Sequence, residues 1–439
     1  MKILGIESSC DETAAAVVED GVRLLSNVVV TQIDIHAHYG GVVPEIAARS
    51  HIEAINPVID EALAKAGCTW DDIDAIAVTY APGLIGSLLV GSLAARTLAI
   101  IHNKPLYPIH HVEAHVYANF ITEQIEHLGE NESVSARRAG AESETVDITT
   151  VSEPRTVQRS DHLSFPSRQP EFPMLALIVS GGHSQLVLFR DHGDYELLGQ
   201  TQDDAVGEAY DKVAKILGLP YPGGPSIAKA ALLGDPFKYK LPKAALKCTH
   251  QGAHFGASGK AAPSSAPSGT DSYHEGAAQV ITQHAAQNVC RFYDFSFSGL
   301  KTAVLRAVQA EVGKDFTFPS HELPGLLNDV QRNNFAASFQ RTANETLVDK
   351  AVKAFHDYQP KSVVIAGGVA ADRDLRKRLA DRLPIPIEYA PMQLCTDNAA
   401  MIATLGYFYA EKQPATDPYS LEVVPSLSMT KTAWAKENV

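Results

Sequence analysis

The chain opens on an apolar run, Ile3-Leu4-Gly5-Ile6-Glu7, followed by polar Ser8-Ser9-Cys10-Asp11-Glu12 and a second apolar run, Thr13-Ala14-Ala15-Ala16-Val17-Val18. Short runs of this kind, separated by a polar break, predict strand, turn, strand: a hairpin with a polar tip. The pattern recurs far downstream, where Leu175–Val179 and Gln185–Phe189 flank Ser180-Gly181-Gly182-His183-Ser184. Two such hairpins suggest a duplicated lobe, each copy presenting its turn to a shared cleft. After the first hairpin the pattern predicts a helical stretch over Ala47–Ala66, a strand at Ala75–Thr79, the turn Ala81-Pro82-Gly83 and an apolar helix over Leu84–Ile101. Alternating strands and helices predict an α/β lobe. The last of these helices is interrupted by Arg96 and rich in Gly and Ser, so it predicts a buried helix with close neighbours and no membrane span.

Late in the chain, Ser362–Ala366 leads through Gly367-Gly368-Val369 into a helix expected over Asp372–Leu383. Strand, glycines, helix can set backbone N–H groups and the positive end of a helix against phosphate or ribose. A further helix is expected over Thr201–Lys212, with carboxylates at Asp204, Glu208 and Asp211 along one face, either solvated or bonded to ribose hydroxyls. Two segments look inserted. Residues 121–172 are acidic, rich in Ser and Thr and weakly periodic, and read as a partly disordered surface excursion. Residues 244–285 read as a flexible loop whose His250, His254, His274 and His284 lack ligand spacing.

The domain reading is therefore an N-terminal lobe over 1–120 carrying the histidine pair discussed below, the insert at 121–172, and a C-terminal lobe over 173–439. The second lobe includes a helical insertion at about 203–345, and its last helices return to the first lobe. At 439 residues and 45% apolar content the chain is globular, with room for two or three cores. Its net charge of −14 repels nucleic acid, so such a partner would need a local basic stripe or another subunit's help. Cys10, Cys68, Cys248, Cys290 and Cys395 are scattered, odd in number and form no CxxC, which predicts free thiols in a reduced cytoplasm. A strand begins at Lys2 with no signal peptide ahead of it.

The candidate chemistry starts at Pro108-Ile109-His110-His111-Val112-Glu113-Ala114-His115. His111 and His115 are four residues apart, so a helix projects both imidazoles from one face, as two ligands of one cation require. The same spacing also suits two histidines that merely share a helix, and Glu113 is misplaced for the HExxH order of zinc peptidases. Asp397, in Cys395-Thr396-Asp397-Asn398, is a third ligand candidate that the sequence alone cannot bring near. Asp11 and Glu12 form an acidic hairpin tip, either solvated or placed to hold a cation or orient a nucleophile. Ser180-Gly181-Gly182 allows close backbone approach to a ligand, or is simply a tight turn. Tyr221-Pro222-Gly223-Gly224-Pro225 reads as a rigid turn.

In order along the chain stand ESSCDET from Glu7, HHVEAH from His110, VSGGH from Val179, DDAVGEAYDK from Asp203, YPGGP from Tyr221, FSFSGLKT from Phe295, AGGV from Ala366 and CTDN from Cys395. This series resembles the TsaD family, the bacterial tRNA adenosine threonylcarbamoyltransferases, nearly end to end apart from the two inserts. The resemblance implies an α/β, actin-like ATPase (ASKHA) fold of two RNase-H-like lobes around a central nucleotide cleft. It implies transfer of the threonylcarbamoyl group from threonylcarbamoyl-AMP to N6 of the adenosine 3′ of the anticodon, in tRNAs reading codons that start with A. Carried over by motif, His111, His115 and Asp397 would hold one divalent metal ion, Fe2+ or Zn2+. Ile178, Val179, Ser180, Gly181, Gly182, Asp211, Gly224 and Asp372 would hold the adenylate, and Asp11 and Glu12 would be essential for activity. One position departs: the family usually has Asn where this chain has Asp372, and an ionised Asp only accepts hydrogen bonds. Family members work with a TsaB-like paralogous partner and a TsaE-like small ATPase. The competing expectations are a kinase-like phosphotransferase, which has no use for cleft histidines, a metallopeptidase, which needs a general base in ligand spacing, and a nucleotide-gated scaffold.

Overall fold

The computed structural model describes residues 1–124, 165–244 and 292–429. Most of the two segments read as inserts, including His250, His254, His274 and His284, lies outside the described residues. The first lobe runs β1 (Lys2–Glu7), β2 (Glu12–Glu19), β3 (Arg23–Thr31), α1 (Ile33–Ala37), α2 (Pro44–Ala66), β4 (Ala75–Ala81), α3 (Ile85–His102), β5 (Leu106–His110), α4 (His111–Tyr117) and β6 (Glu123–Gln124). The second runs β7 (Met174–Val179), β8 (Ser184–Asp191), β9 (Asp194–Gln200), α5 (Val206–Leu217), α6 (Gly223–Ala231), α7 (Ser298–Glu311), α8 (Asp329–Tyr358), β10 (Ser362–Ala366), α9 (Arg373–Arg382), β11 (Ile387–Tyr389), α10 (Met392–Cys395) and α11 (Ala400–Lys412).

The sheets are ordered β5-β4-β1-β2-β3-β6 and β11-β10-β7-β8-β9. In each, the first three strands form an antiparallel meander and two later strands join parallel to the first. Apart from the two-residue β6, the second lobe therefore repeats the first. Strand alternation explains why β1 and β2 read as unbroken apolar runs. Leu4, Ile6, Ala15 and Val17 face the outer core, where α2 and α3 pack. Ile3, Ala14, Ala16 and Val18 face the inner core, which is continuous with the second lobe.

The helix closing that inner face comes last in the chain. α11 lies against β1, β2, β4 and α4. Its approach is so close that a Cβ on Gly5 would stand 2.6 Å from the Ala403 amide nitrogen, and one on Gly406 would stand 2.5 Å from the Ala77 Cβ. Past α11 the chain runs back over the first lobe: Thr416 N–H donates to the Leu106 carbonyl (2.9 Å), Arg96 Nε to the Pro418 carbonyl (2.6 Å) and Val424 N–H to the Tyr80 carbonyl (2.9 Å).

Three expected elements differ. α3 buries only its small face, Ser87, Leu88, Gly91, Ser92, Ala95 and Ala99, while Ile85, Leu89, Leu93, Ile100 and Ile101 are exposed. Small residues let it settle on β1, where Gly91 abuts the Ser8 side chain, and the bulky residues are left outside. Among the described residues it is the one helix long and apolar enough to cross a membrane. The helix expected from Thr201 begins at Val206, because the Thr201 hydroxyl donates to the Asp204 carbonyl (2.7 Å) and holds a turn there. Asp204 thus leaves the helical face and pairs with Lys212 (2.8 Å) and Lys301 (3.0 Å). Gly223-Gly224-Pro225, read as turn, is the first turn of α6.

Gly5→Ala should lower stability by about 1–3 kcal/mol through overpacking against the α11 backbone. Chemical denaturation checks this, and an unchanged midpoint would refute the close-packing account.

Candidate metal and substrate site

β5 ends as α4 begins, and His110 caps the junction by accepting the Glu113 N–H at Nδ1 (3.4 Å). One turn of α4 then separates His111 from His115, both buried against the inner core. Asp397 comes from the turn between α10 and α11. Asn398 locks that turn, donating to the Leu394 (3.1 Å) and Thr396 (2.8 Å) carbonyls and accepting the Met401 N–H (3.2 Å). The Asp397 Oδ1 lies 3.3 Å from His115 Nε2 and 3.6 Å from His111 Nε2. One ligand atom from each of the three residues falls within 4.8 Å of the others.

This donor set fits a divalent transition ion. Two imidazoles and a carboxylate are ligands shared by zinc and ferrous sites. Apart from the Asp397 carboxylate beside Nε2, the buried His115 ring nitrogens have no hydrogen-bond partner, a costly state for polar atoms unless something coordinates them. Behind His111, Glu7 supplies the support expected of a ligating imidazole. Its Oε2 is 3.0 Å from His111 Nδ1, while Thr79 Oγ1 (2.6 Å) and the Ser9 N–H (2.5 Å) donate to the same carboxylate. That contact directs the Nε2 of His111 toward Asp397. Burial opposes a charge on His111, yet Glu7 and Asp397 push its pKa up to about 9. Against its own burial, Asp397 is held well below the usual carboxylate range by His111 and His115. An incoming cation would replace the proton that these carboxylates favour on His111.

Above the cluster opens a cavity of about 1210 Å³ between the lobes. Asp11, Glu12, His111 and Asp397 line one side; Ser180, Gly181, Gly182, Asp211, Gly224 and Asp372 line the other. His115 lies beneath this surface. The acidic tip is braced from behind, with the Cys10 carbonyl accepting from His51 Nε2 (3.0 Å) and Ser87 Oγ (3.1 Å), and the Asp11 carbonyl from the Gln32 N–H (3.1 Å). Burial first, then the Asp397 and Asp11 charges, raise the Glu12 pKa well above its ordinary value. Gly181, Gly182 and Gly224 would meet nothing with an added Cβ, so the space beside them belongs to the cavity. Gly367 differs: its φ of +87° and a Cβ position 2.5 Å from the Val179 carbonyl oxygen show that the fold itself requires it.

Two expectations need correction. Ile178 and Val179 are fully buried in β7 and do not line the cavity, because the strand turns its polar end outward only at Ser180. Asp372 lines the cavity but is also the N-cap of α9, so the helix begins at Arg373, one residue later than expected. Its Oδ1 accepts the Asp374 N–H (2.8 Å), and its Oδ2 accepts from Asn344 Nδ2 (3.0 Å), Gln340 Nε2 (3.1 Å) and the Tyr210 hydroxyl (3.2 Å). Every partner is a donor, so an acceptor-only side chain suits this position. Asp211 is anchored as well, accepting the Gly223 N–H (2.6 Å), with its pKa raised by burial. The sequence reading missed Glu7, although a carboxylate ending an apolar strand was its signal, and it left His183 and His51 without a role.

The family model described as tRNA N6-adenosine threonylcarbamoyltransferase matches residues 23–140 and 146–404. Over 424 residues the chain is 42% identical to the protein of that name from Thermomicrobium roseum, covering 95% of this chain and 94% of that one. Over 434 residues it is 39% identical to the one from Bacillus subtilis, covering 98% and 96%. Among solved structures, the ROK hexokinase from Thermus thermophilus aligns over 94% of this chain and 100% of its own, with 16% identity and a TM-score of 0.36.

Asp372→Ala should cost about 1 kcal/mol of stability through loss of the helix cap. Asp372→Asn, which keeps an acceptor at Oδ1 but turns an amide N–H toward three donors, should also destabilise, by about 1–3 kcal/mol. An unchanged thermal unfolding midpoint in Asp372→Asn would refute the all-donor surroundings.

Proposed function

Because the chain belongs to the TsaD family and is a tRNA N6-adenosine threonylcarbamoyltransferase, we propose that its cleft holds threonylcarbamoyl-AMP beside the His111–His115–Asp397 cluster for attack by a tRNA adenosine. The family's actin-like ATPase fold matches the two lobes of one topology described above. The observation that carries the proposal is the convergence of the three candidate ligands, with His111 and Asp397 on the wall and His115 beneath it, at a cavity that also receives the Ser180–Gly182 turn.

The target is the N6 amine of the adenosine 3′ of the anticodon, in tRNAs reading codons that start with A. That amine is a poor nucleophile, because its lone pair is delocalised into the ring. When bound by His111, His115 and Asp397, a ferrous or zinc ion supplies Lewis acidity toward the carbamoyl oxygen. Glu7 holds His111 in the tautomer that leaves Nε2 free to ligate. The Ser180–Gly182 turn and the start of α6 at Gly224 offer backbone to the adenylate, and Asp211 keeps α6 in place. N6 forms its bond to the carbamoyl carbon, the bond from that carbon to the phosphate oxygen breaks, and AMP departs as an anion. The proton shed by N6 goes to Glu12 or Asp11 at the acidic tip.

A partner is part of the proposal. The exposed stripe Ile85, Leu89 and Leu93 on α3, with Ile52 on α2, is an apolar surface suited to a protein partner such as a TsaB-like paralogue. Such a partner, with a TsaE-like ATPase, would supply tRNA-facing charge that a chain of net charge −14 lacks. The expected setting is the cytoplasm. A kinase-like phosphotransferase is disfavoured because it leaves the buried histidine pair without a task.

The test is incubation of the protein and partners with labelled threonylcarbamoyl-AMP and cognate tRNA, followed by nucleoside analysis. N6-threonylcarbamoyladenosine should form, and its absence in complete mixtures would overturn the reading. Asp11→Asn and Glu12→Gln should slow transfer by about 10²- to 10⁴-fold while adenylate binding persists. Elemental analysis should find one divalent metal ion per chain in the wild type, and its loss in His111→Ala and Asp397→Ala.

A further inference from the structure

A second, smaller cavity of about 370 Å³ shares Pro82, Gly83 and His183 with the large one and adjoins it at those residues. Its floor is a pair of amides. Gln185 on β8 and Gln200 on β9 are directly opposite in the strand register, and both line the cavity. Gln185 is only 6% exposed, and its Oε1 has no hydrogen-bond partner. A buried acceptor left open at the surface of a cavity marks a place where a donor is expected. The rim is formed by the tail, whose Pro425 carbonyl accepts the Gly83 N–H (3.1 Å) and whose Leu427 carbonyl accepts from His110 Nε2 (3.2 Å). Because His110 also accepts a backbone N–H at Nδ1, its ring is neutral.

The lining contains no Lys, Arg, Asp or Glu. A carboxylate or phosphate would find no countercharge there, which excludes the threonine carboxylate and the AMP half of the adenylate. What suits such a lining is a neutral group rich in donors and acceptors. Side-chain amides pair in bidentate fashion with the N6/N7 edge of adenine, the oxygen accepting from N6 and the nitrogen donating to N7. Enzymes that modify a base within structured nucleic acid take it out of the stack into a pocket of the active site.

We infer that this second cavity receives the target adenine of the tRNA, flipped out of the anticodon-loop stack, with Gln185 and Gln200 reading its N6/N7 edge. The inference rests on the transferase reading above and deepens it. The two cavities adjoin at Pro82, Gly83 and His183, and it is at this junction that N6 of the base reaches the carbamoyl carbon of the adenylate. An acceptor at N6 serves two purposes: it selects adenine over purines lacking the amine, and it draws electron density toward the attacking nitrogen.

The test uses the full chain with its partners and an anticodon-arm RNA carrying either adenosine or purine riboside at the target position. Wild-type protein should prefer adenosine in equilibrium binding. Gln185→Ala and Gln200→Ala should each lower kcat/KM for the RNA by about 10- to 100-fold, the range of a lost amide–adenine pair, and should erode that preference. Binding of AMP should not change. Since Gln185 is buried in a strand, a third variant guards against misfolding: Ser426→Trp, at an exposed tail position, should fill the cavity and suppress RNA transfer with AMP binding intact. All three variants within about twofold of wild type, or no preference for adenosine in the wild type, would overturn the inference. A wild-type protein that prefers adenosine yet transfers nothing would instead overturn the transferase reading and leave the base pocket supported.

Discussion

Everything at the histidine end of the cleft depends on one largely buried electrostatic arrangement, in which Asp397 faces His111 and His115 with Glu7 behind. Ionised groups out of water are stable only with partners, and here each supplies the other's. Glu7 and Asp397 hold two sides of His111, while His111 and His115 hold Asp397 in its charged form. Three parts of the chain are thereby pinned together: the end of β1, the start of α4 and the turn before α11. The hairpin tip carrying Asp11 and Glu12 follows directly from Glu7, so its placement is tied to the same arrangement.

Local pattern made much of this visible before any coordinates. Both hairpins, the strand–glycine–helix passage at Ala366–Gly368 and the four-residue spacing of the histidines depend on neighbours in sequence, and each formed where its pattern placed it. The convergence of Asp397 on the histidines depends on tertiary packing of α11 against β1, which no window of sequence contains; only the ordered motif series pointed to it. Glu7 was legible as an anomaly, a carboxylate at the end of a buried strand, but its partner lay 104 positions away.

The misreadings have physical causes too. Ile178 and Val179 came in with a motif that spans the end of a strand, yet only the residues past the strand face the cavity. α3 was expected to bury its apolar residues, whereas tight packing demanded its small ones and turned Ile85, Leu89 and Leu93 outward. Asp372 was weighed as a ligand contact that had lost a donor. The surroundings offer it only donors, so the substitution for Asn is accommodated by the protein's own hydrogen bonds.

The placement of α11 has a consequence for how the molecule is made. The first lobe's strands leave the ribosome well before the residues that close the inner face of their sheet, 400–412, which follow nearly four hundred positions later. Until then Ile3, Ala14 and Ala16 present an uncovered apolar surface, the kind of exposure that invites aggregation or chaperone capture. The N-terminal half is therefore not an autonomous folding unit. Ribosome-bound intermediates should remain incomplete until α11 has emerged, and premature stops before it should yield chains destined for degradation.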